Sequence, residues 1–386
     1  MSTPSPLAVD LNLSFQRLLP LGALELQDVE ALRLLLRGGS VVDWHRLNFR
    51  HQAQVDRFLR LSLFDCHDPV DERRLRSILA QAVEYLRSTF RYRVSDAVAR
   101  PKEIHDLFLM ASGVLTHERY RRIACIVLKV MHCIHHVEAR ELLFQTPIAE
   151  VELQRRLEAR VMAVAAQMID AGLPIVEFVG NTKSRDSLIT KLLSKRETLA
   201  AQIYDKTRFR IVTAHPQDVL PTVHHLANHL FPFNFVVPGQ TQNSLVSFRK
   251  LIEEEPALNK MIPKLELDLD HERRENEERR RDGDVNAFSG SDYRVLNFVV
   301  DLPLRLDDLI KPDAQGDYPN GRIGFGLVEM QIVDAETKRR NESGEASHER
   351  YKNRQKLKVL RRLSRGLVVP RKPKAPPPGS SGPIGY

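Results

Sequence analysis

The chain has 386 residues, 42% hydrophobic and 28% charged, which is enough apolar material for a large core and length enough for two domains. It has no run of about eighteen apolar residues, and Met1–Val9 lacks the basic start and apolar stretch of a leader, so neither a membrane span nor a secretory signal is expected. The formal charge of +8 sits at one end: residues 353–386 carry nine Lys and Arg and no Asp or Glu, so residues 1–352 are near neutral at −1.

Three cysteines, Cys66, Cys125 and Cys133, are too few and too scattered for a disulfide framework, and a reducing cytoplasm is the expected setting. The first 172 residues predict helices. Asp28 to Arg37 carries apolar residues at helical spacing and stops at Gly38-Gly39. Asp68-Pro69 offers a cap and a first-turn proline, followed by Leu75, Ile78, Leu79, Ala82, Val83 and Leu86 on one face. Further helices are expected from Glu118 to Leu143 and from Thr146-Pro147 to Gly172. Within the first of these, His132 and His136 share a face and could pair on a metal, but packed or surface histidines are the simpler reading. No hydrolase domain built on His-Asp metal ligands is expected in this half.

From Leu173 the pattern changes. Pro174–Gly180, Ile203–Thr213, Phe233–Val237, Tyr293–Pro303 and Gly324–Asp334 predict strands, while Ser184–Ser194, Val219–Leu230 and Glu336 to about Leu363 predict helices. The expected fold class is α+β: an N-terminal all-helical domain (1–172), then a mixed β-sheet domain with flanking helices (173–352). A polar insertion of both charge signs spans about 251–290, and 353–386 forms a basic, Pro-rich tail without a packed core.

Two carboxylates stand out in the strand-rich half. Asp205 opens a strand running to Arg210-Ile211-Val212, and Glu329 sits inside Val-Glu-Met-Gln-Ile-Val, on the face of Gln331 and opposite Met330. A carboxylate inside an apolar strand is costly unless it is paired or holds a metal. Two of them facing one cleft would suit Mg²⁺ and a polyphosphate. Lys183, Ser187 and Lys191 recur every four residues, so they line one helix face, either as a phosphate cradle or as an ordinary solvated face.

Taken in order, these segments resemble the synthetase domain of RelA/SpoT-type (p)ppGpp synthetases, of the nucleotidyltransferase superfamily, over about residues 176–352. Gly180–Lys191 resembles the family's Gly-Arg-x-Lys-x3-Ser-x3-Lys element, and Tyr204–Val212 its Asp-Leu-x-x-Ile-Arg-Val strand. Asp292–Val300 resembles Gly-Tyr-x-Ser-Leu-His-x-x-Val. Val328–Lys352 resembles the Glu-x-Gln-Ile-Arg-Thr segment and its trailing motif, with Glu329, Gln331, Glu342, Gly344, Ala346, His348, Tyr351 and Lys352 in register. The departures are Asn181 and Val333 where the family has Arg, Asp292 where it has Gly, and Asn297 where it has His.

The resemblance implies an enzyme that transfers pyrophosphate from ATP to the 3′-hydroxyl of GDP or GTP, with Mg²⁺ as cofactor. Asp205 would be the Mg²⁺ ligand, and Glu329 the general base or a second metal contact. Lys183, Lys191 and Arg210, with Ser187, would hold phosphates. Tyr293 would stack on the acceptor base, with Asn297 and Gln331 beside it. Two alternatives stay open: a tRNA 3′-end pyrophosphokinase, whose RNA the basic tail would hold, and a non-catalytic nucleotide- or RNA-binding relative.

Overall fold

The computed structural model describes residues 24–38, 47–115, 118–182, 185–194, 207–247, 293–314, 316–343, 359–360 and 363. Its N-terminal part is a run of helices: α1 (Leu26–Arg37), α2 (Gln52–Leu61), α3 (Pro69–Phe90), α4 (Asp96–Ala99), α5 (Ile104–Ala111), α6 (Glu118–Gln145) and α7 (Glu150–Asp170). Their ends follow the local chemistry. The first helix stops where Gly38 takes a left-handed φ of 62° and returns its N–H to the carbonyls of Leu34 and Leu35. Asp68 caps α3 by accepting from the Val70 amide, and the six apolar residues expected on that helix are all buried.

Two His-Asp dipeptides occur in this half, His67-Asp68 and His105-Asp106. Both aspartates serve as helix caps. Asp68 caps α3, and Asp106 accepts from the Glu103 amide at 3.1 Å to close a capping box at the start of α5.

After the left-handed turn at Gly172, the chain forms β1 (Ile175–Thr182), α8 (Arg185–Ser194), β2 (Thr207–Thr213), α9 (Val219–His229), β3 (Gln242–Asn243), β4 (Leu296–Arg305), β5 (Ile323–Asp334) and α10 (Ala335–Ser343). The five strands make one mixed sheet in the order β1-β2-β5-β4-β3. The β2/β5 pair is parallel, and β1/β2, β4/β5 and β3/β4 are antiparallel. The fold class is therefore α+β, with helices preceding and flanking a mixed sheet.

One strand expectation fails. Phe233–Phe235 forms a short 3-10 turn, and the backbone meets the sheet only past it, where Val236 makes an isolated bridge to Val300 and the Val237 amide donates to the Val299 carbonyl at 2.8 Å. Prolines at 232 and 238 bracket the segment, which leaves too little chain for a ladder. Its apolar character serves packing instead: the Phe235 ring lies 5.1 Å from Phe325, and Phe233 lies 6.1 Å from Phe58. The insertion at 251–290, the tail from 364, and 344–358 of the last expected helix lie outside the described residues.

One contiguous apolar core runs from Leu24 in the helical part to Ile332 in the sheet. Phe209, Ile211, Phe298, Val300, Met330 and Ile332 are among the sheet's contributions to it. The central strand approaches α7 so closely that a Cβ on Gly326 would lie 2.5 Å from Leu157 Cδ1. Ions tie the same two parts together. Asp71 on α3, 2% exposed, accepts from Arg305 Nη1 at 2.7 Å and also from Arg322, which precedes β5. Arg160 on α7 donates to the Leu230 carbonyl at 2.8 Å after α9.

Candidate functional site

The second strand, Thr-Arg-Phe-Arg-Ile-Val-Thr, alternates. Thr207, Phe209 and Ile211 are buried on one side, and Arg208 and Arg210 are half-buried on the other. The parallel register sets Arg208 beside Glu329 and Arg210 beside Gln331. On the other flank of β5, the antiparallel register sets Asn297 beside Gln331 and Val299 beside Glu329. Because the pleat has period two, Arg208, Arg210, Asn297, Glu329 and Gln331 share one face of three adjacent strands.

The carboxylate at the centre is nearly enclosed, at 6% side-chain exposure. Its Oε2 accepts from Arg208 Nε at 2.6 Å, and its Oε1 accepts from Asn297 Nδ2 at 2.8 Å. The charge-assisted bond to the guanidinium makes the buried charge tolerable in this strand. Arg210 Nη2 donates to Gln331 Oε1 at 3.4 Å, a long contact that leaves most of its donor fork uncommitted to Gln331. The buried Asn297 Oδ1 has no hydrogen-bond partner among the described residues.

Of the residues expected at the site, four come together here: Arg210, Asn297, Glu329 and Gln331. Tyr293, half-buried, precedes β4, and its carbonyl accepts from Ser244 Oγ at 3.4 Å. Ser187 lies exposed on α8, with Lys191 one turn further along the same helix. Lys183 and Asp205 lie outside the described residues.

Arg208 was missed by sequence reasoning, although a signal existed. Arg-Phe-Arg in a strand puts both guanidinium groups on one face, and a carboxylate buried in an apolar strand needs a cation nearby. What the sequence does not carry is the parallel β2/β5 register that makes Arg208 that cation.

Chemically, this face offers two guanidinium forks and one carboxylate that is already neutralised. That balance suits an anion with several oxygens, because guanidinium forks match phosphate geometry. It does not suit a divalent metal. Glu329 is the one expected metal ligand among the described residues, and both its oxygens already hold protein donors, one of them a cation. The described residues of this face therefore do not make a Mg²⁺ site.

The histidines of α6 are packed rings. His136 stacks on Phe325 with centroids 4.4 Å apart, and its Nδ1 lies 3.3 Å from Asp301 Oδ2. Burial, first, and then its neighbours His136 and Arg74 hold the His135 imidazole well below the usual histidine range. Among the described residues, these rings do not converge with a third potential ligand.

No protein-family model matches the chain, and no curated protein matches it. Solved structures do. The small alarmone synthetase 1 from Bacillus subtilis is 12% identical, with a TM-score of 0.27 over 64% of this chain and 92% of that one. The small alarmone synthetase 2 from the same organism is 14% identical, with a TM-score of 0.29 over 56% and 94%. A GTP pyrophosphokinase family protein from Streptococcus pneumoniae is 14% identical, with a TM-score of 0.27 over 56% and 90%. Superposition at these TM-scores is loose, so the functional reading rests on this chain's own residues. No helix among the described residues is long and apolar enough to cross a membrane.

Proposed function

We propose that the chain is a RelA/SpoT-like pyrophosphokinase that moves the β,γ-pyrophosphoryl group of ATP to the 3′-hydroxyl of a guanine nucleotide. The observation that supports this reading is the placement of Arg210, Asn297, Glu329 and Gln331 on one face of β2, β5 and β4. These four come from three segments that resemble the family's motifs independently. In the reaction, the acceptor oxygen bonds to the β-phosphorus and the bond from that phosphorus to the α-phosphate oxygen breaks. AMP leaves, and the hydroxyl proton passes to Glu329.

Positioning and charge neutralisation supply most of the catalysis in such transfers. Arg210, whose fork is largely uncommitted to Gln331, holds phosphate oxygens. Gln331 and Asn297 flank the carboxylate and orient the acceptor, and Tyr293 stacks on its base. Lys183, Ser187, Lys191 and Asp205 complete the reading as further phosphate and metal contacts, on the strength of the sequence motifs alone.

A second reading has its own support. The Arg208–Glu329 pair closes the carboxylate that the reaction needs as a base, and a relative that binds nucleotide without turning it over would keep such a pair. One experiment separates the two. The full chain is incubated with ATP labelled on its terminal phosphates, Mg²⁺, and GDP, GTP or tRNA. The enzyme reading expects label on GDP or GTP, and a Glu329→Gln variant slowed about 10²–10³-fold with ATP affinity little changed. ATP binding without labelled product from any acceptor would remove the enzyme reading and leave the binding one. Label on tRNA alone would transfer the reading to the RNA end.

A further inference from the structure

The helical part brings a thiol, an imidazole and a carboxylate together, far in sequence from the sheet face. Asp56 lies on α2, Cys66 in the connection between α2 and α3, and His105 in the first turn of α5. One donor atom from each lies within 4.8 Å of the other two. His105 Nε2 is hydrogen-bonded to Asp56 Oδ1, with side-chain exposures of 8% and 19%. The other ring nitrogen, Nδ1, is buried without a hydrogen-bond partner among the described residues. Cys66 is free and half-buried against the apolar core.

We propose that Asp56, Cys66 and His105 form a binding site for a thiophilic divalent metal ion of the Zn²⁺ type. The donor set selects the ion. Mg²⁺ and Ca²⁺ take oxygen ligands, whereas sulfur, imidazole nitrogen and a single carboxylate suit Zn²⁺ and its substitute Co²⁺. Ligand bonds of about 2.0–2.3 Å on a tetrahedral ion put neighbouring donors roughly 3.3–3.7 Å apart, so the hydrogen-bonded His105 and Asp56 part slightly to admit an ion, with Cys66 within reach as the third ligand. The metal takes the position of the proton shared between His105 and Asp56: the imidazole, bound through Nε2, keeps its one proton on Nδ1, and the thiol proton of Cys66 is released to solvent.

Three protein ligands leave a fourth position for water, and among the described residues no further Cys, His, Asp or Glu belongs to the group. The scaffold beneath is rigid. Phe58 of α2 and Phe108 of α5 pack at 5.9 Å, and Phe49 packs on both rings. The connection that carries Cys66 also touches the sheet, where the Leu63 carbonyl accepts from Arg305 Nη1 at 2.9 Å, and α6, where the Phe64 ring lies 5.1 Å from His135. A bound ion therefore fastens this connection to α2 and α5 at a point where the helical part meets β4.

The test uses the full chain, stripped with chelator and titrated with Co²⁺. The expected result is about one equivalent bound, with a thiolate-to-cobalt charge-transfer band in the near ultraviolet that Zn²⁺ abolishes. Cys66→Ser removes the band, and Cys125→Ser and Cys133→Ser keep it. Asp56→Asn and His105→Gln weaken cobalt binding roughly tenfold or more. Should Cys66→Ser fail to fold by circular dichroism, the unmodified chain still decides, because Zn²⁺ must protect Cys66 from alkylation while Cys133 goes on reacting. Absence of the band, its survival in folded Cys66→Ser, or unchanged Cys66 alkylation with Zn²⁺ would overturn the proposal.

Discussion

At Glu329, the two partners of one ion pair are unequal, and the inequality predicts different costs. Its side chain is 6% exposed, whereas that of Arg208 is 25% exposed. Arg208→Ala leaves a buried carboxylate with, among the described residues, only the Asn297 amide as its side-chain partner. That should destabilise the fold toward the lower end of the roughly 3–5 kcal/mol seen when buried pairs are broken, since water still reaches the arginine side. Glu329→Gln keeps the shape and a hydrogen-bond acceptor, and it leaves a guanidinium that water can solvate, so its cost should be about 1 kcal/mol. Urea midpoints of the two variants check this. If Glu329→Gln proves the more damaging to stability, then Arg208 is not what makes the carboxylate tolerable. The need for a partner at Glu329 was legible in the sequence, because a charge in an apolar strand announces it. The partner's identity was not, because it follows from a register between segments more than a hundred residues apart.

At the scale of elements, β5 shows why some features are readable and others are not. Its apolar run and bounds follow from composition, and the observed Ile323–Asp334 begins one residue before the expected strand. The reason for Gly326 inside it is invisible until α7 is seen. A Cβ there would meet Leu157 Cδ1 at 2.5 Å, and Leu157 is 2% exposed, with nowhere to go. Gly326→Ala should therefore cost about 1–3 kcal/mol by overpacking, against any gain from a stiffer unfolded chain. Adding Leu157→Ala, itself destabilising, should recover part of the Gly326→Ala loss, so the two changes should fall short of additivity in a double-mutant cycle read by denaturation. Strict additivity would show that the close approach of α7 to β5 does not constrain the site. The same contrast explains Phe233–Phe235. Apolarity says that the segment is buried, but only the bracketing prolines and the neighbouring rings decide that it turns rather than pairs.

For the whole molecule, the sequence marks the change from helices to strands at Leu173 and cannot say which apolar faces meet. The shared core across that point is tertiary information, and α6 brings a buried, pH-sensitive imidazole to it. His135 is buried between Phe64 and Phe325, with ring centroids 5.1 Å from each. Its imidazole is held well below the ordinary value near 6.5, chiefly by burial, then by His136 and Arg74. The titratable and charged groups that face this region are His136, with Asp301 of β4 beside it, and the Arg74–Glu138 pair bridging α3 and α6. The sign follows from proton counting. Below pH 6.5 the unfolded chain binds a proton at this position and the folded chain does not, so acid favours unfolding. His135 alone should cost about 1.4 kcal/mol per pH unit from pH 6.5 down to its folded pKa, with no contribution above pH 7.5. His132 is lowered in the same direction, by burial first and then by His136 and His135, and adds to the same slope. Urea unfolding from pH 8 to pH 5 should show this slope, and His135→Gln should flatten it by about one proton. Because the core is continuous, the described helices and the sheet should unfold in one transition at every pH. An unchanged slope in His135→Gln would assign the acid sensitivity to other groups, His132 and the carboxylates, and a separate sheet transition would show that α6 does not couple the two parts.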